Sequence, residues 1–110
     1  MTTPALPPAM YPPAARRVLS DYRRQFGGAA GAYVLYGYET MSVVLEAIRS
    51  AGARGNDRQV VTDRFFATRN RDSVLGRYSI TAAGETTLSR YAVDRVLGGR
   101  PVFYRAMSLP

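Results

Sequence analysis

The chain has 110 residues and a formal net charge of +7, and 46% of its residues are hydrophobic while 21% are charged. These values are typical of a single folded domain and exclude a largely disordered polypeptide. Cysteine and histidine are absent and no apolar run reaches the roughly 18 residues of a transmembrane helix, so a disulfide framework, thiol or histidine catalysis and a membrane span are excluded.

The first 13 residues, MTTPALPPAMYPP, contain five of the seven prolines. Because proline fixes φ and lacks a backbone N–H, we predict an extended lead-in over residues 1–13. This segment has neither a basic start nor a continuous apolar run, so no export signal is predicted in it.

A first helix is predicted from Ala14 to Phe26, ended by the Gly27-Gly28 pair. Its apolar face consists of Ala15, Val18, Leu19, Tyr22 and Phe26. The opposite face carries the one dense group of the fifteen cations, all of which are arginines: Arg16, Arg17, Arg23 and Arg24. A solvated helix face explains this group better than a phosphate-binding patch, because the other arginines are spread along the chain.

The GGAAG segment at residues 27–31 follows a helix and not a strand, so it indicates a flexible connector and not a nucleotide-binding loop. A second helix is predicted over the segment YGYETMSVVLEAIRSAG, residues 36–52. Its apolar stripe is Tyr38, Met41, Val44, Leu45, Ile48 and Ala51. Its polar side is Glu39, Ser42, Glu46 and Arg49. Such a stripe must be buried against a larger body.

A third helix is predicted to begin near Asn56, as an N-cap paired with Gln59, and to end near Thr68. The following segment NRDSVLG is predicted to be a loop. RYSIT alternates polar and apolar residues and predicts a strand, and residues 91–97 and 101–105 predict a β-hairpin around Gly98-Gly99. The predicted fold class is therefore α/β, with three helices followed by a short strand and a C-terminal hairpin.

Catalytic motifs are not apparent, and no cofactor is predicted. The carboxylates Asp57, Asp63, Asp72 and Asp94 are scattered, and no acid–base pair can be assigned. We therefore predict that the chain is not an enzyme.

Tyrosine is the unusual feature of the composition, with eight residues in 110. Tyr33, Tyr36 and Tyr38 crowd the entry to the second helix. Their flat apolar rings and polar hydroxyls suit a pocket around a small ligand, but they also suit anchoring of the helix start against a sheet. Both interpretations remain open at the level of the sequence.

Four segments resemble the C-terminal portion of type I periplasmic solute-binding proteins, the receptors of branched-chain amino-acid ABC transporters. YRRQFG at residues 22–27 is similar to the family's Tyr-Arg-x-x-Phe-Gly helix end, and YETM followed by LEAIRSAG is similar to its Tyr-Asp-Ala helix. DSVLGRYSITAAGET stands where the family has a glycine-rich turn and a strand, and YAVDRVLGGRPVF is similar to its closing hairpin. Glu39 replaces the family's aspartate.

The resemblance implies a partial type I periplasmic-binding-protein fold. It implies an incomplete solute-binding domain over residues 14–110, which follows the proline-rich lead-in of residues 1–13. It further implies binding of an amino acid or similar small polar ligand by Tyr33, Tyr36, Tyr38 and Glu39, delivery to an ABC permease, and a periplasmic or extracellular location.

The chain lacks the continuous apolar strands of a parallel sheet, so its helix stripes are expected to cover missing N-terminal lobes or another copy. Three origins of the chain remain open: a truncated gene, an excised segment of a longer protein, and one half of a split receptor. The alternatives to the receptor are a small basic nucleic-acid-binding module, which is disfavoured, and a protein-interaction module.

Overall fold

The computed structural model describes all residues, 1–110. In chain order the elements are β1 (Thr2–Thr3), α1 (Ala14–Phe26), α2 (Tyr33–Ala51), α3 (Arg58–Phe66), β2 (Arg71–Ser73), β3 (Gly76–Tyr78), β4 (Arg90–Leu97) and β5 (Arg100–Ser108). Single 3-10 turns occur at Pro8–Met10 and Gly52–Arg54. Strands β1, β4 and β5 form one antiparallel sheet in that order, and β2 pairs with β3 in a separate hairpin. This confirms the predicted α/β arrangement of three helices, a short strand and a C-terminal hairpin.

Helix α1 has the predicted bounds, and it buries Ala15 and Leu19 from the predicted apolar face. It ends at Gly27, whose φ of 68° is readily adopted only by glycine. Helix α2 begins at Tyr33, three residues before the predicted start, because Leu35 is drawn into the core with no exposed surface.

The buried face of α2 differs from the predicted one. The helix buries the i+4 row Leu35, Glu39, Val43 and Ala47, whereas Glu39 was assigned to the polar side. The predicted apolar stripe is instead exposed, with Met41 58% and Leu45 51% accessible. At about 100° per residue the two rows lie on roughly opposite sides of the helix. Helix α2 therefore has two apolar faces, of which this chain covers only one.

The start of α3 also differs from the prediction, since its N-cap is Asp57 and not Asn56. Oδ1 of Asp57 accepts hydrogen bonds from the backbone N–H groups of Gln59 at 3.0 Å and Val60 at 3.2 Å. The Asp57 carboxylate is also held by Arg54 at 2.7 Å, and this interaction is the main cause that lowers its pKa. An ionised cap suits the positive end of the helix dipole, which explains the preference for aspartate over asparagine.

The segment predicted to be a loop, residues 70–76, contains β2 and the turn into β3. Arg71 pairs with Tyr78 and Ser73 with Gly76, so the predicted loop is wrong over β2. The strand predicted in RYSIT begins one residue earlier, at Gly76, and ends at Tyr78, and beyond it Ile80 forms only an isolated bridge with Thr86. The C-terminal hairpin is confirmed, with Gly98 and Gly99 at φ 57° and 77°, as a type I′ turn requires. A bulge interrupts its register between Val93 and Asp94.

The core lies where α1, α2 and β4 meet, and residues 1–13 contribute to it. Leu6 and Tyr11 are buried, and the Tyr11 hydroxyl accepts a 2.9 Å hydrogen bond from the Leu6 N–H. Strand β1 pairs with β4, placing Thr3 opposite Ala92. The predicted lead-in is therefore packed onto the domain. No helix of the structure combines the length and apolar character needed to cross a bilayer.

Candidate functional site

The four candidate ligand-binding residues lie on the first two turns of α2, but the structure places them in different environments. Tyr36 faces the N-terminal segment, and its hydroxyl donates a 2.7 Å hydrogen bond to the Pro4 carbonyl. Burial, followed by the neighbouring Tyr11 hydroxyl, raises the pKa of Tyr36. Tyr36 therefore anchors the start of the helix.

Tyr33 and Tyr38 remain accessible, at 66% and 50% of their surface. They line a groove of about 940 Å³ between α1 and α2. Its aromatic side chains are Tyr22, Phe26, Tyr33 and Tyr38. Four aromatic rings in a largely apolar groove form a surface on which a small ligand with an apolar body can rest.

Glu39 is buried and engaged with two other side chains. One of its oxygens, Oε1, accepts hydrogen bonds from Nε of Arg71 at 2.6 Å and from the hydroxyl of Tyr78 at 2.7 Å. The Glu39 side chain is 5% exposed and that of Arg71 is 22% exposed. This buried cluster, Glu39–Arg71–Tyr78, ties α2 to the β2–β3 hairpin.

The electrostatics of the buried cluster favour a neutral Tyr78 hydroxyl and a charged Arg71 guanidinium, since the pKa of each is raised. Burial raises the pKa of Tyr78, and its hydrogen bond to Glu39 raises it further. Burial disfavours the charge on Arg71, but Glu39 more than offsets this and raises the pKa of Arg71. The cluster thus fixes the turn of α2 that carries Tyr38. Glu39 also lines a polar cavity of about 460 Å³ together with Ser42 and Asp72.

Neither Arg71 nor Tyr78 was identified from the sequence. They lie 32 and 39 residues beyond Glu39, so no local pattern connects them. A glutamate on an otherwise apolar i+4 row was the available signal, because a carboxylate on such a row requires a buried partner.

The arginine group on α1 is partly neutralised. Asp21 contacts Arg24 at 2.6 Å and Arg17 at 4.0 Å on the exposed face of the helix. No group of three or more acidic, cysteine or histidine side chains is arranged to hold a metal ion.

No protein-family model matches the chain, and no curated protein sequence matches it at a significant level. Among solved structures, the leucine-binding protein LivK of Thermotoga maritima is similar over 97% of this chain, with 27% identity and a TM-score of 0.74. A solute-binding protein of an ABC transporter from Rhodopseudomonas palustris, in complex with 3,4-dihydroxybenzoic acid, is similar over 94%, with 16% identity and a TM-score of 0.67.

The similarity covers 30% of the LivK chain and 29% of the other chain, so this chain spans less than a third of each neighbour. Both neighbours are named for solute binding and not for catalysis. The motif order, the observed element order and these two likenesses agree. The chain therefore has the fold of a C-terminal segment of the type I periplasmic solute-binding proteins, and the family resemblance is confirmed.

Proposed function

We propose that this chain is the C-terminal segment of an extracytoplasmic substrate-binding receptor of an ABC transporter. Its ligand is an amino acid or a similarly small polar molecule, which the assembled receptor presents to the permease. The single observation that supports this most directly is the accessible aromatic groove between α1 and α2, at the entry to α2.

In this proposal Tyr33 and Tyr38 contact the ligand, while Tyr36 and Glu39 hold the α2 entry in place. The division follows from accessibility, since Tyr33 and Tyr38 expose half or more of their surface and Glu39 exposes 4%. Oε1 of Glu39 already accepts hydrogen bonds from Arg71 and Tyr78. In this proposal Glu39 therefore acts on the ligand indirectly, by positioning the turn that carries Tyr38. The remaining lobes of the receptor supply the other ligand contacts and cover the exposed stripe of α2.

The experiment is an amide proton–nitrogen correlation spectrum of the 110-residue chain, titrated in turn with leucine, isoleucine and valine. Dispersed peaks that shift around residues 33–38 would support the proposed site. Tyr38→Ala should reduce those shifts, whereas Tyr104→Ala, an equally exposed tyrosine on β5 outside the groove, should leave them unchanged. Dispersed peaks that ignore every amino acid would refute direct binding by this segment.

A second function is favoured by one observation, the exposed apolar stripe on α2. Met41, Leu45 and Ile48 expose 58%, 51% and 39% of their surface, which is typical of a protein-interaction surface. An interaction module would bind a protein partner tightly through this stripe and would show no response to small molecules. Binding that falls steeply with salt would instead favour the nucleic-acid alternative.

A further inference from the structure

A small cavity between the C-terminal half of α2 and the end of α3 is lined by three arginines. We propose that this cavity, of about 310 Å³, is a binding site for a small tetrahedral oxyanion such as phosphate. The site is separate from the aromatic groove and goes beyond the proposed receptor function. Its cationic lining is Arg64, Arg69 and Arg71, and its hydroxyl lining is Ser50 and Thr68.

Charge is the first argument for this site, because the arginines of the cavity outnumber its carboxylates. The lining holds a single carboxylate, Glu46, which is engaged by Arg49 at 3.2 Å. None of the six ion pairs of the structure includes Arg64 or Arg69. The count can be widened to include the ion-pair partners outside the lining, which are Arg49 for Glu46 and Glu39 for Arg71. Four guanidinium groups then stand against two carboxylates. No ion pair of the structure compensates this excess positive charge.

Two of the three guanidinium groups are fixed in place. Nη1 of Arg69 donates to the carbonyls of Phe66, Thr68 and Ile80 at 2.8, 2.8 and 2.9 Å. Nε of Arg71 is held by Glu39 at 2.6 Å, and the Tyr78 hydroxyl lies against the same guanidinium. A guanidinium whose position is already set loses little entropy when it binds an oxyanion, and its planar fork matches phosphate oxygens.

The C-terminal end of α3 would ordinarily repel an anion, since its unpaired carbonyls carry partial negative charge. Here Nη1 of Arg69 donates to the carbonyl of Phe66, the last residue of α3, and to that of Thr68 just beyond it, which weakens this repulsion. The volume of the cavity lies at the lower end of the range for ligand sites, about 300 Å³, which suits a small ion or a single phosphate group.

The test uses Arg64→Gln, because Arg64 is exposed, makes no ion pair and is replaced by another good helix former. Arg58→Gln is the matched control, since Arg58 is an exposed arginine on the same helix outside the cavity. Arg69 and Arg71 are left intact because their contacts hold the fold. The full chain is titrated with inorganic phosphate at constant ionic strength, and separately with phosphatidylglycerol vesicles against phosphatidylcholine vesicles.

We expect saturable amide shifts at residues 64–69, weakened about tenfold by Arg64→Gln and changed less than about twofold by Arg58→Gln. Saturation by free phosphate identifies a soluble oxyanion, and saturation by anionic vesicles alone identifies a lipid headgroup. Either result, with the dependence on Arg64, supports the site. Absence of saturable shifts with both probes, or equal weakening by the two substitutions, would overturn the proposal.

Discussion

Replacing Glu39 by glutamine should destabilise the chain, because Glu39 holds α2 on the β2–β3 hairpin. Removing one partner of a buried ion pair typically costs about 3–5 kcal/mol. Two features reduce the cost here. Glutamine keeps one acceptor oxygen for the Tyr78 hydroxyl, and the Arg71 side chain is 22% exposed, so water can solvate part of its charge. We therefore expect Glu39→Gln to lower the free energy of unfolding by about 2 kcal/mol.

The assay is urea denaturation monitored by circular dichroism. The midpoints of variant and parent are compared, and an unchanged m-value shows that the difference reports stability. Glu46→Gln is the matched control, because its carboxylate pairs with Arg49 on the same helix while both side chains are more than half exposed. Exposed pairs contribute about 0–1 kcal/mol, so the control should unfold close to the parent. Equal effects of the two substitutions would show that the buried cluster does not stabilise the fold.

Three other outcomes are expected. Leu35→Ala, at a fully buried position, should cost about 2–5 kcal/mol in urea denaturation, whereas Leu45→Ala on the exposed stripe should cost less than about 1 kcal/mol; similar losses would contradict the observed face of α2. The pKa of Tyr78 is raised in the folded chain. The neutral Tyr78 hydroxyl therefore stabilises the folded state below the unfolded-state pKa of about 10, and this stabilisation is lost as the pH rises further. Tyr78→Phe should therefore reduce the loss of stability in alkaline denaturation, and an unchanged alkaline profile would argue against its burial. Asp57 has a lowered pKa in the folded chain, so its contribution is present above about pH 4 and is lost on acidification. Asp57→Ala should speed amide hydrogen exchange in the first turn of α3 and should make that exchange insensitive to acid. Unchanged exchange would show that Asp57 does not stabilise the start of α3.

The elements that could be predicted from the sequence are those determined by local rules. Helix α1 has apolar residues at helical spacing and a glycine pair after its last turn, and its bounds are as predicted. The β4–β5 hairpin has Gly98-Gly99 between two apolar runs, and only glycine-rich pairs readily supply the two positive φ values of that turn. In both cases the residues that decide the structure are neighbours in the chain.

The elements that could not be predicted depend on distant partners. Strand β2 contains Arg71, Asp72 and Ser73, which have low strand propensity, and it forms because it pairs with β3 and because Glu39 holds Arg71. The N-cap of α3 was placed one residue early because both Asn56 and Asp57 are good caps. The local sequence did not distinguish them, whereas the contact with Arg54 favours Asp57.

The two opposite apolar faces of α2 explain both the error in the predicted face and the proposed need for further lobes. A compact protein of 12.1 kDa exposes about 6,000 Å² of surface, whereas this chain exposes 7716 Å². The excess of about 1,700 Å² exceeds the roughly 800 Å² that each partner contributes to a standard interface. The chain is elongated, with extents of 55 × 37 × 23 Å, and the apolar stripe from Tyr38 to Ile48 is part of its exposed surface, as expected of a segment that packs against a further body. Because the two structural neighbours are more than three times as long as this chain, we infer that lobes equivalent to the rest of those receptors cover the stripe and complete the ligand site.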